Sequence, residues 1–228
     1  TTEEQCASVV VKNKKNAFFN PYADYEAKIS VDDVMKSEYL FKPLKKYDIA
    51  PNVDGAICFV LADDKTAKDL GIEPIYLSGF GYCSETPWLA TRGMDALYAK
   101  KAAEMAYKMA GITDPKKEIC IAEVDDRFSY KELQHLEAMG LATPGEAGKL
   151  AEDGALEIKG SCPTNMSGGA LGVGNCLEAT GLQKSLEIVT QLRGHAAKRQ
   201  VPDAECGIAQ SWRFLPTGSG AIAIFERG

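Results

Sequence analysis

Apolar and polar positions along the chain form short segments that predict strands and helices in alternation. Apolar runs at 75–82 and 119–124 predict buried strands, and shorter runs near 207–209 and 221–225 predict two late strands. A further strand is predicted within 54–61, DGAICFVL, where β-branched and aromatic residues stand between Asp-Gly and Asp-Asp. Strands alternating with helices, followed by a final strand pair, predict an α/β layered domain.

Helical periodicity accounts for most of the segments between these strands. One helix is predicted from 94 to 110, ended by Gly111, and the next begins with Ser129 as its cap and is closed by Gly140. Shorter helices are predicted at 66–70 and from Thr143, whereas 1–53 is predicted to be irregular and polar. The residues expected to face inward are Leu97, Ala102, Met105 and Met109 in the first helix, Leu133, Leu136 and Met139 in the second, and Leu182, Leu186, Val189 and Leu192 in a later one.

Composition and charge exclude several classes of function. The 228 residues carry a net charge of −6, which leaves no electrostatic footprint for nucleic acid, and no apolar run is long enough for a membrane helix. No signal peptide is visible, and the missing initiator Met indicates a chain that was processed or cut from something longer. Seven cysteines occur singly and only two histidines are present, so we expect a reducing, cytoplasmic setting and no zinc site.

A glycine-rich run, NMSGGALGVGNCLEATG at 165–181, is the most distinctive stretch of the chain. Glycine allows close backbone approach and positive φ, and a helix that starts after such a loop offers free N–H groups to an oxyanion or a thioester carbonyl. On glycine content alone, a plain loop-to-helix turn accounts for the run equally well.

This run resembles the C-terminal active-site loop of the thiolase superfamily, N-x-S/N-G-G followed by G-H-P-x-G-A-T-G, and most of all the branch that contains sterol-carrier-protein thiolases and acetyl-CoA acetyltransferase-like enzymes. Three further segments resemble the same branch in the family's order. They are VVKNKKNAFFNPYADY at 10–25, DGAICFVL at 54–61 and AEVDDRFSYKELQHLEAMGL at 122–141.

The resemblance implies a thiolase-like α-β-α layered fold, with this chain as its C-terminal domain plus the tail of the N-terminal domain. Residues 1–72 would hold the loop segment and the last strand and helix of the first half, and 73–228 the second half. The first half, on the same or a separate chain, would supply the nucleophilic cysteine. The resemblance also implies a homo- or hetero-oligomer and a small OB-fold and zinc-ribbon partner protein.

The implied activity is acyl transfer that makes or cleaves a carbon–carbon bond next to a CoA thioester of 3-ketoacyl type, with coenzyme A as substrate and no covalently bound cofactor. The family's second-half catalytic positions are all changed here. The histidine of H-D-x-F falls on Asp125, that of G-H-P on Asn175, and the last-loop acid/base on Gln210. Asn175 and Gln210 can donate hydrogen bonds but cannot move protons as histidine does.

Two titratable residues enter the loop at the positions of the proline and a glycine of the motif. Cys176 and Glu178 would lie at a helix start whose dipole favours thiolate and carboxylate, so either could replace the missing base. The alternative is that Glu178 is a first-turn acid and Cys176 fills a small space. Asp125 would repel a developing enolate unless it were protonated.

Other residues have supporting roles in this interpretation. Asn165, Ser167, Gly168 and Gly169 should shape the loop that faces the thioester, and Trp212 either lines an acyl pocket or packs. His135 and His195 are expected at the surface. The cluster of Lys12, Lys14 and Lys15 would meet coenzyme A phosphates or form a solvated face.

Two other functions stay open. The chain could be a degenerate, non-catalytic half that stabilises a catalytic partner or binds CoA esters, since every expected histidine is lost. It could also cleave a carbon–carbon bond by an aldol route. Related branches that use such a route carry tyrosines at the changed positions. This chain has no tyrosine at those positions, although Tyr130 lies nearby.

Overall fold

A mixed four-stranded sheet organises the chain. The computed structural model describes residues 1–86, 88, 93, 95–213 and 218–228. The strands are β3 (Ile75–Ser84), β4 (Ile121–Glu123), β5 (Cys206–Arg213) and β6 (Ser219–Arg227), in the order β3-β6-β5-β4. The β3–β6 and β6–β5 pairs are antiparallel and the β5–β4 pair is parallel, which confirms the predicted α/β layered class. A separate small hairpin joins β1 (Tyr39–Phe41) to β2 (Leu44–Lys45).

Helices cover both faces of this sheet. Those within the described ranges are α1 (Glu3–Ala17), α2 (Val31–Lys36), α3 (Asp64–Asp69), α4 (Leu97–Ala110), α5 (Pro115–Glu118), α6 (Ser129–Ala138), α7 (Ala147–Glu152), α8 (Gly169–Val173) and α9 (Thr180–Leu192). α4 packs on β3 and β6 from one side, and α9 packs on β5 and β4 from the other. No helix within the described ranges is both long and apolar enough to cross a bilayer.

The N-terminal segment corrects the prediction of an irregular start. α1 begins with a capping box between Thr2 and Gln5, and its Ala7 and Val10 share the main core with residues of α4, α6 and β6. Hydrophobic periodicity does not reveal this helix because its buried face also carries Lys12 and Asn13, which bond to buried carboxylates. The division of the chain after residue 72 stays a prediction.

The strand predicted within 54–61 is not formed. This segment belongs to no strand of the described chain, and Val60 and Leu61 are 92% and 85% exposed. A strand needs a neighbour to satisfy its backbone groups, and within the described ranges no strand pairs with this segment. Its apolar residues Val60 and Leu61 are therefore left exposed on the surface.

α4 buries Ala102, as predicted, but exposes the three larger residues of the predicted stripe. Leu97, Met105 and Met109 are 42%, 53% and 66% exposed, whereas Ala102 and Ala106 are buried. Gly79 and Gly81 of β3 explain the difference, because a Cβ on Gly81 would lie 1.9 Å from the carbonyl oxygen of Ala102. The predicted start of this helix at residue 94 lies outside the described residues.

The remaining predicted elements differ mainly at their ends. α6 begins at Ser129 without a side-chain cap, and the Ser129 hydroxyl instead donates to Asp48 at 2.6 Å. α7 begins at Ala147, three residues after Pro144. β5 runs on to Arg213, so Gln210, predicted in a loop, lies within a strand.

Replacing Gly81 with alanine tests the close approach of β3 and α4. The added methyl group meets backbone rather than a movable side chain, so Gly81→Ala should lower the free energy of unfolding by about 3 kcal/mol. Gly154→Ala is the control, because only its positive φ opposes a side chain and about 1 kcal/mol is expected. Equal losses in urea denaturation would contradict the packing argument.

Candidate active site

Buried carboxylates lie directly beneath the glycine-rich loop. Glu123 ends β4 and accepts hydrogen bonds from the Ser167 backbone N–H at 2.9 Å and from its hydroxyl at 2.6 Å. Asp126 accepts from the backbone N–H groups of Ala170 at 2.7 Å and Leu171 at 3.1 Å. The glycine-rich run itself contains a short helix that was not predicted, α8, and its N–H groups at Ala170 and Leu171 are bonded to the protein's own carboxylate.

Cations and amides neutralise this buried layer. Lys184 of α9 lies 3.3 Å from Asp126, and Lys12 of α1 lies 3.0 Å from Glu132. Asn13 donates to both Asp126 and Glu132, at 2.8 and 2.7 Å. Burial opposes the charge on Lys184, but the surrounding carboxylates outweigh it and raise its pKa. Burial and the nearby Glu187 raise the pKa of Glu123 to about 7.

The lysine cluster of α1 therefore differs from both predictions made for it. Lys12 is buried against Glu132, and Lys14 is buried with its ammonium group donating to the carbonyl oxygens of Tyr25 at 2.9 Å and Leu171 at 3.0 Å. Only Lys15 points outward, near Glu157. Lys12 and Lys14 hold the loop in place and do not form a solvated or phosphate-binding face.

The four predicted loop residues are buried and turn towards this layer. Asn165 has φ of 54° and its carboxamide accepts from the Val124 N–H at 2.8 Å and donates to Glu132 at 2.7 Å. Gly168 has φ of 102°, and a Cβ there would lie 2.7 Å from the Cβ of Ala17. Gly169 likewise has positive φ and abuts Asp126. These residues shape the loop from below, through bonds within the protein.

Asn175 holds the turn that follows α8. It is 2% exposed, its Nδ2 donates to Asn52 at 3.0 Å, and its Oδ1 accepts from the Thr180 hydroxyl at 2.9 Å. The same oxygen accepts from the Leu177 N–H at 3.1 Å and lies 3.4 Å from an Arg127 Nη2. Its carboxamide is engaged on both sides, in contrast to the open presentation that the sequence suggested.

The two proposed replacement bases lie away from the start of α9. Burial, together with Asp24 and Asp54, raises the pKa of Cys176, which favours the thiol and corrects the expectation of a dipole-stabilised thiolate. The reason is positional, because α9 begins at Thr180, after a 3₁₀ turn over Leu177–Ala179. Glu178 has an 82% exposed side chain, 3.7 Å from Arg213.

Asp125 and Gln210 are brought together across β4 and β5. The Asp125 N–H donates to Gln210 Oε1 at 2.8 Å, and the Asp125 carboxylate accepts from the Arg127 N–H at 3.1 Å. Burial raises the pKa of Asp125, despite the opposing effect of Lys184. Gln210 is fully buried, and its Nε2 has no hydrogen-bond partner within the described part of the chain. An unsatisfied buried N–H costs about 1–3 kcal/mol, so this donor is a strong functional candidate.

Several residues at this site were missed or misplaced by sequence reasoning. Arg127 follows Asp125 and reaches Asn175, so it links the two halves of the site. His135 was predicted at the surface but is fully buried, because its ring bonds to Tyr98 and to the Asp125 carbonyl, whereas His195 is exposed as predicted. Trp212 is 7% exposed and stacks on Tyr98 with ring centroids 6.2 Å apart, which supports packing rather than a pocket wall.

Removing the Asp126 carboxylate tests whether the buried layer holds the loop. Asp126→Ala should lower the free energy of unfolding by about 3–5 kcal/mol, because Lys184 would be left as a buried unpaired charge. Glu104→Ala, which breaks an exposed pair with Lys101, is the matched control and should cost less than about 1 kcal/mol. Comparable losses of unfolding free energy in the two variants would show that Asp126 does not hold the loop in place.

Comparison with known proteins agrees with this architecture. The family model for thiolase C-terminal domain-like proteins matches residues 89–226. The chain is 38% identical to an acetyl-CoA acetyltransferase of Methanothermobacter thermautotrophicus, with 100% of the chain and 59% of that protein covered. It is 33% identical to sterol carrier protein 2 of Bos taurus, over 100% of the chain and 42% of that protein.

Two solved structures share the fold. An Ltp2-ChsH2(DUF35) aldolase superposes with a TM-score of 0.83 at 25% identity, covering 100% of this chain and 59% of that one. Human mitochondrial 3-ketoacyl-CoA thiolase superposes with a TM-score of 0.70 at 14% identity, covering 99% of this chain and 56% of that one. The chain thus spans about three fifths or less of each of these proteins, and it belongs to the thiolase family through its C-terminal domain.

Proposed function

We propose that this chain is the C-terminal part of a thiolase-like acyltransferase that makes or cleaves a carbon–carbon bond beside a CoA thioester of 3-ketoacyl type. The observation that carries the proposal is that three predicted site residues, Asp125, Asn175 and Gln210, are linked by hydrogen bonds through one short segment of chain. Residues 125–127 bond to Gln210 on one side and to Asn175 on the other.

Gln210 is the donor that we assign to the thioester oxygen. Because its Oε1 accepts the Asp125 N–H, its Nε2 is the end left to donate. A preorganised N–H aimed at a developing oxyanion is worth about 10²–10³ in kcat. The raised pKa of Asp125 favours its protonated form, which would donate to an enolate instead of repelling it.

The outer face of α9 supports the need for a further polypeptide. Leu182 and Leu186, predicted to be buried, are 47% and 37% exposed, while Lys184 and Glu187 of the same helix are buried. Phe80 of β3 is also 47% exposed. Together with the exposed apolar residues of the 54–61 segment, these side chains fit surfaces that the first thiolase half would cover, and that half would bring the nucleophilic cysteine.

Further assembly is part of the proposal. The aldolase structure is named as a complex with a DUF35 protein, and we infer a comparable OB-fold and zinc-ribbon partner for this chain. A homo- or hetero-oligomer and a cytoplasmic location are likewise proposed from the resemblance and from the scattered cysteines.

The second candidate function is a non-catalytic half that stabilises a partner or binds CoA esters. The engagement of the Asn175 carboxamide inside the protein favours it, since that amide replaces a family histidine and bonds to Asn52 and Thr180.

A Gln210→Glu variant tests the assigned donor. The chain is assembled with its first-half polypeptide, and CoA-dependent cleavage of a 3-ketoacyl thioester is measured. Glutamate still accepts the Asp125 N–H but offers no N–H, so kcat should fall about 100-fold or more. Gln183→Glu on α9 is the control and should retain the parent rate. A parent-like rate for Gln210→Glu would remove Gln210 from the mechanism.

The same assay decides whether Cys176 or Glu178 moves the proton. Loss of activity by orders of magnitude in Cys176→Ala or Glu178→Gln would identify the base, and parent rates in both would exclude them. An assembled complex that binds CoA esters but never cleaves the thioester would favour the non-catalytic alternative.

A further inference from the structure

A buried cluster of titratable and aromatic side chains lies behind Asp125 and takes no part in the function proposed above. Lys131 and His135 come from α6, Tyr98 from α4 and Trp212 from β5. Their exposed fractions are 8%, 0%, 3% and 7%, respectively. Lysine is almost never fully buried without a partner, so its place here requires an explanation.

The hydrogen bonds of His135 determine which groups of the cluster donate and which accept. Its Nδ1 lies 2.9 Å from the Asp125 carbonyl oxygen, which can only accept, so Nδ1 carries the proton. Burial lowers the pKa of His135 to about 3, so the ring is neutral and its Nε2 is an acceptor. The Tyr98 hydroxyl, 2.7 Å from Nε2, must therefore donate to it.

Lys131 stands at the head of this chain of donors. Its Nζ lies 3.3 Å from the Tyr98 hydroxyl oxygen, 2.6 Å from Gln134 Oε1 and 4.2 Å from the centroid of the Trp212 ring. Among the described residues, no carboxylate oxygen lies within 4.0 Å of it, so π faces and dipoles take the place of a counter-ion. Burial lowers the pKa of Lys131 to about 8.

We propose that Lys131, Tyr98 and His135 are positioning residues for Asp125, forming a hydrogen-bonded relay that runs from the Lys131 ammonium group to the Asp125 carbonyl. By holding this carbonyl, His135 fixes the backbone of Asp125, whose N–H in turn donates to Gln210 Oε1 and leaves Nε2 as the donor. The proposal deepens the function assigned to Gln210, but the relay itself is a property of the folded chain and can be measured without activity.

The charge state of Lys131 determines how the contacts within the cluster change with pH. Below about pH 8 the ammonium group donates to Tyr98 and lies over Trp212, and above it the neutral amine loses the attraction to the ring. The other titratable groups that face the cluster are Asp125, Glu85 from the end of β3, Tyr130 of α6 and Lys184 of α9. Asp125 and Glu85 favour the charged lysine, and burial opposes it.

The tautomer of His135 is the first test. Nitrogen-15 spectra of the full chain, labelled at histidine, should show His135 neutral and protonated at Nδ1, with exposed His195 as the reference signal. A His135 ring protonated at Nε2, or cationic at neutral pH, would overturn the relay because Tyr98 could no longer donate to it.

The fluorescence of Trp212 is the second test and reports the lysine directly. The other tryptophan, Trp88, is 74% exposed and is removed as Trp88→Phe. In this background, Trp212 emission should change with a midpoint near pH 8, and Lys131→Met should abolish the change. Lys100→Met, at an exposed position of α4, is the matched control and should leave it intact. A flat emission profile between about pH 7 and about pH 9.5 would refute titration of Lys131 in this range.

Hydrogen exchange at the Asp125 amide is the third test and separates positioning from general stability. His135→Leu should accelerate this exchange by about tenfold, whereas His135→Asn, which keeps a donor near Nδ1, should preserve protection. The Ala106 amide in α4 reports global unfolding, and Tyr98→Phe serves if the leucine variant does not fold. Unchanged protection at Asp125 in both His135→Leu and Tyr98→Phe would disprove a positioning role, whether or not Gln210 proves to be the donor.

Discussion

The burial of carboxylates beneath the glycine-rich loop is the constraint on which the rest of the structure depends. Asp126 lies in the interior and must be neutralised, since an unpaired buried charge is costly. Its partners come from α1, α8 and α9, as Asn13, the Ala170 N–H and Lys184. One side chain therefore holds together three elements that are distant in sequence.

This arrangement changes how the glycine-rich loop is understood. The N-terminus of α8 resembles an anion site, but the anion is supplied by the protein. The loop is held rigidly from below, and its glycines permit the close approach of Ala17 to Gly168 and of Asp126 to Gly169. In the function proposed here, a substrate would meet a preformed surface, and the groups assigned to chemistry lie beside the loop, at Asp125 and Gln210.

By the resemblance, Asp125 and Asn175 take the places of two family histidines, and Gln210 takes the place of the acid/base residue of the last loop. Asn175 and Gln210 cannot exchange protons near neutral pH, so proton movement must involve another group. Burial raises the pKa of Asp125 and lowers that of Lys131. Asp125 bonds directly to Gln210, and Lys131 is linked to Asp125 through Tyr98 and His135. Electrostatic preorganisation by fixed dipoles is the principle that such a site would use.

Exposed apolar residues give the second general constraint. α9 buries Ile188 and Leu192 as an ordinary amphipathic helix does, but it also turns Lys184 and Glu187 inward and exposes Leu182 and Leu186. The charged residues of the inward face pair with Asp126 and Arg199. Leu182 and Leu186 stay exposed among the residues that the structure describes, and the proposed first half would cover them.

The sequence by itself determined the family, the alternation of strands and helices, and the places where chemistry was expected, because hydrophobic periodicity and short motifs are local properties. It could not determine which faces are buried. α1 was missed, and in α9 the burial of Leu192 was predicted correctly but that of Leu182 and Leu186 was not, because the buried lysines of both helices acquire partners only from distant segments. His135 was predicted at the surface for the same reason, since the Asp125 carbonyl and Tyr98 that hold it come together only on folding. Tertiary structure decided these points because the free energy of burying a polar group depends on the partner it meets, and the partner is not its neighbour in sequence.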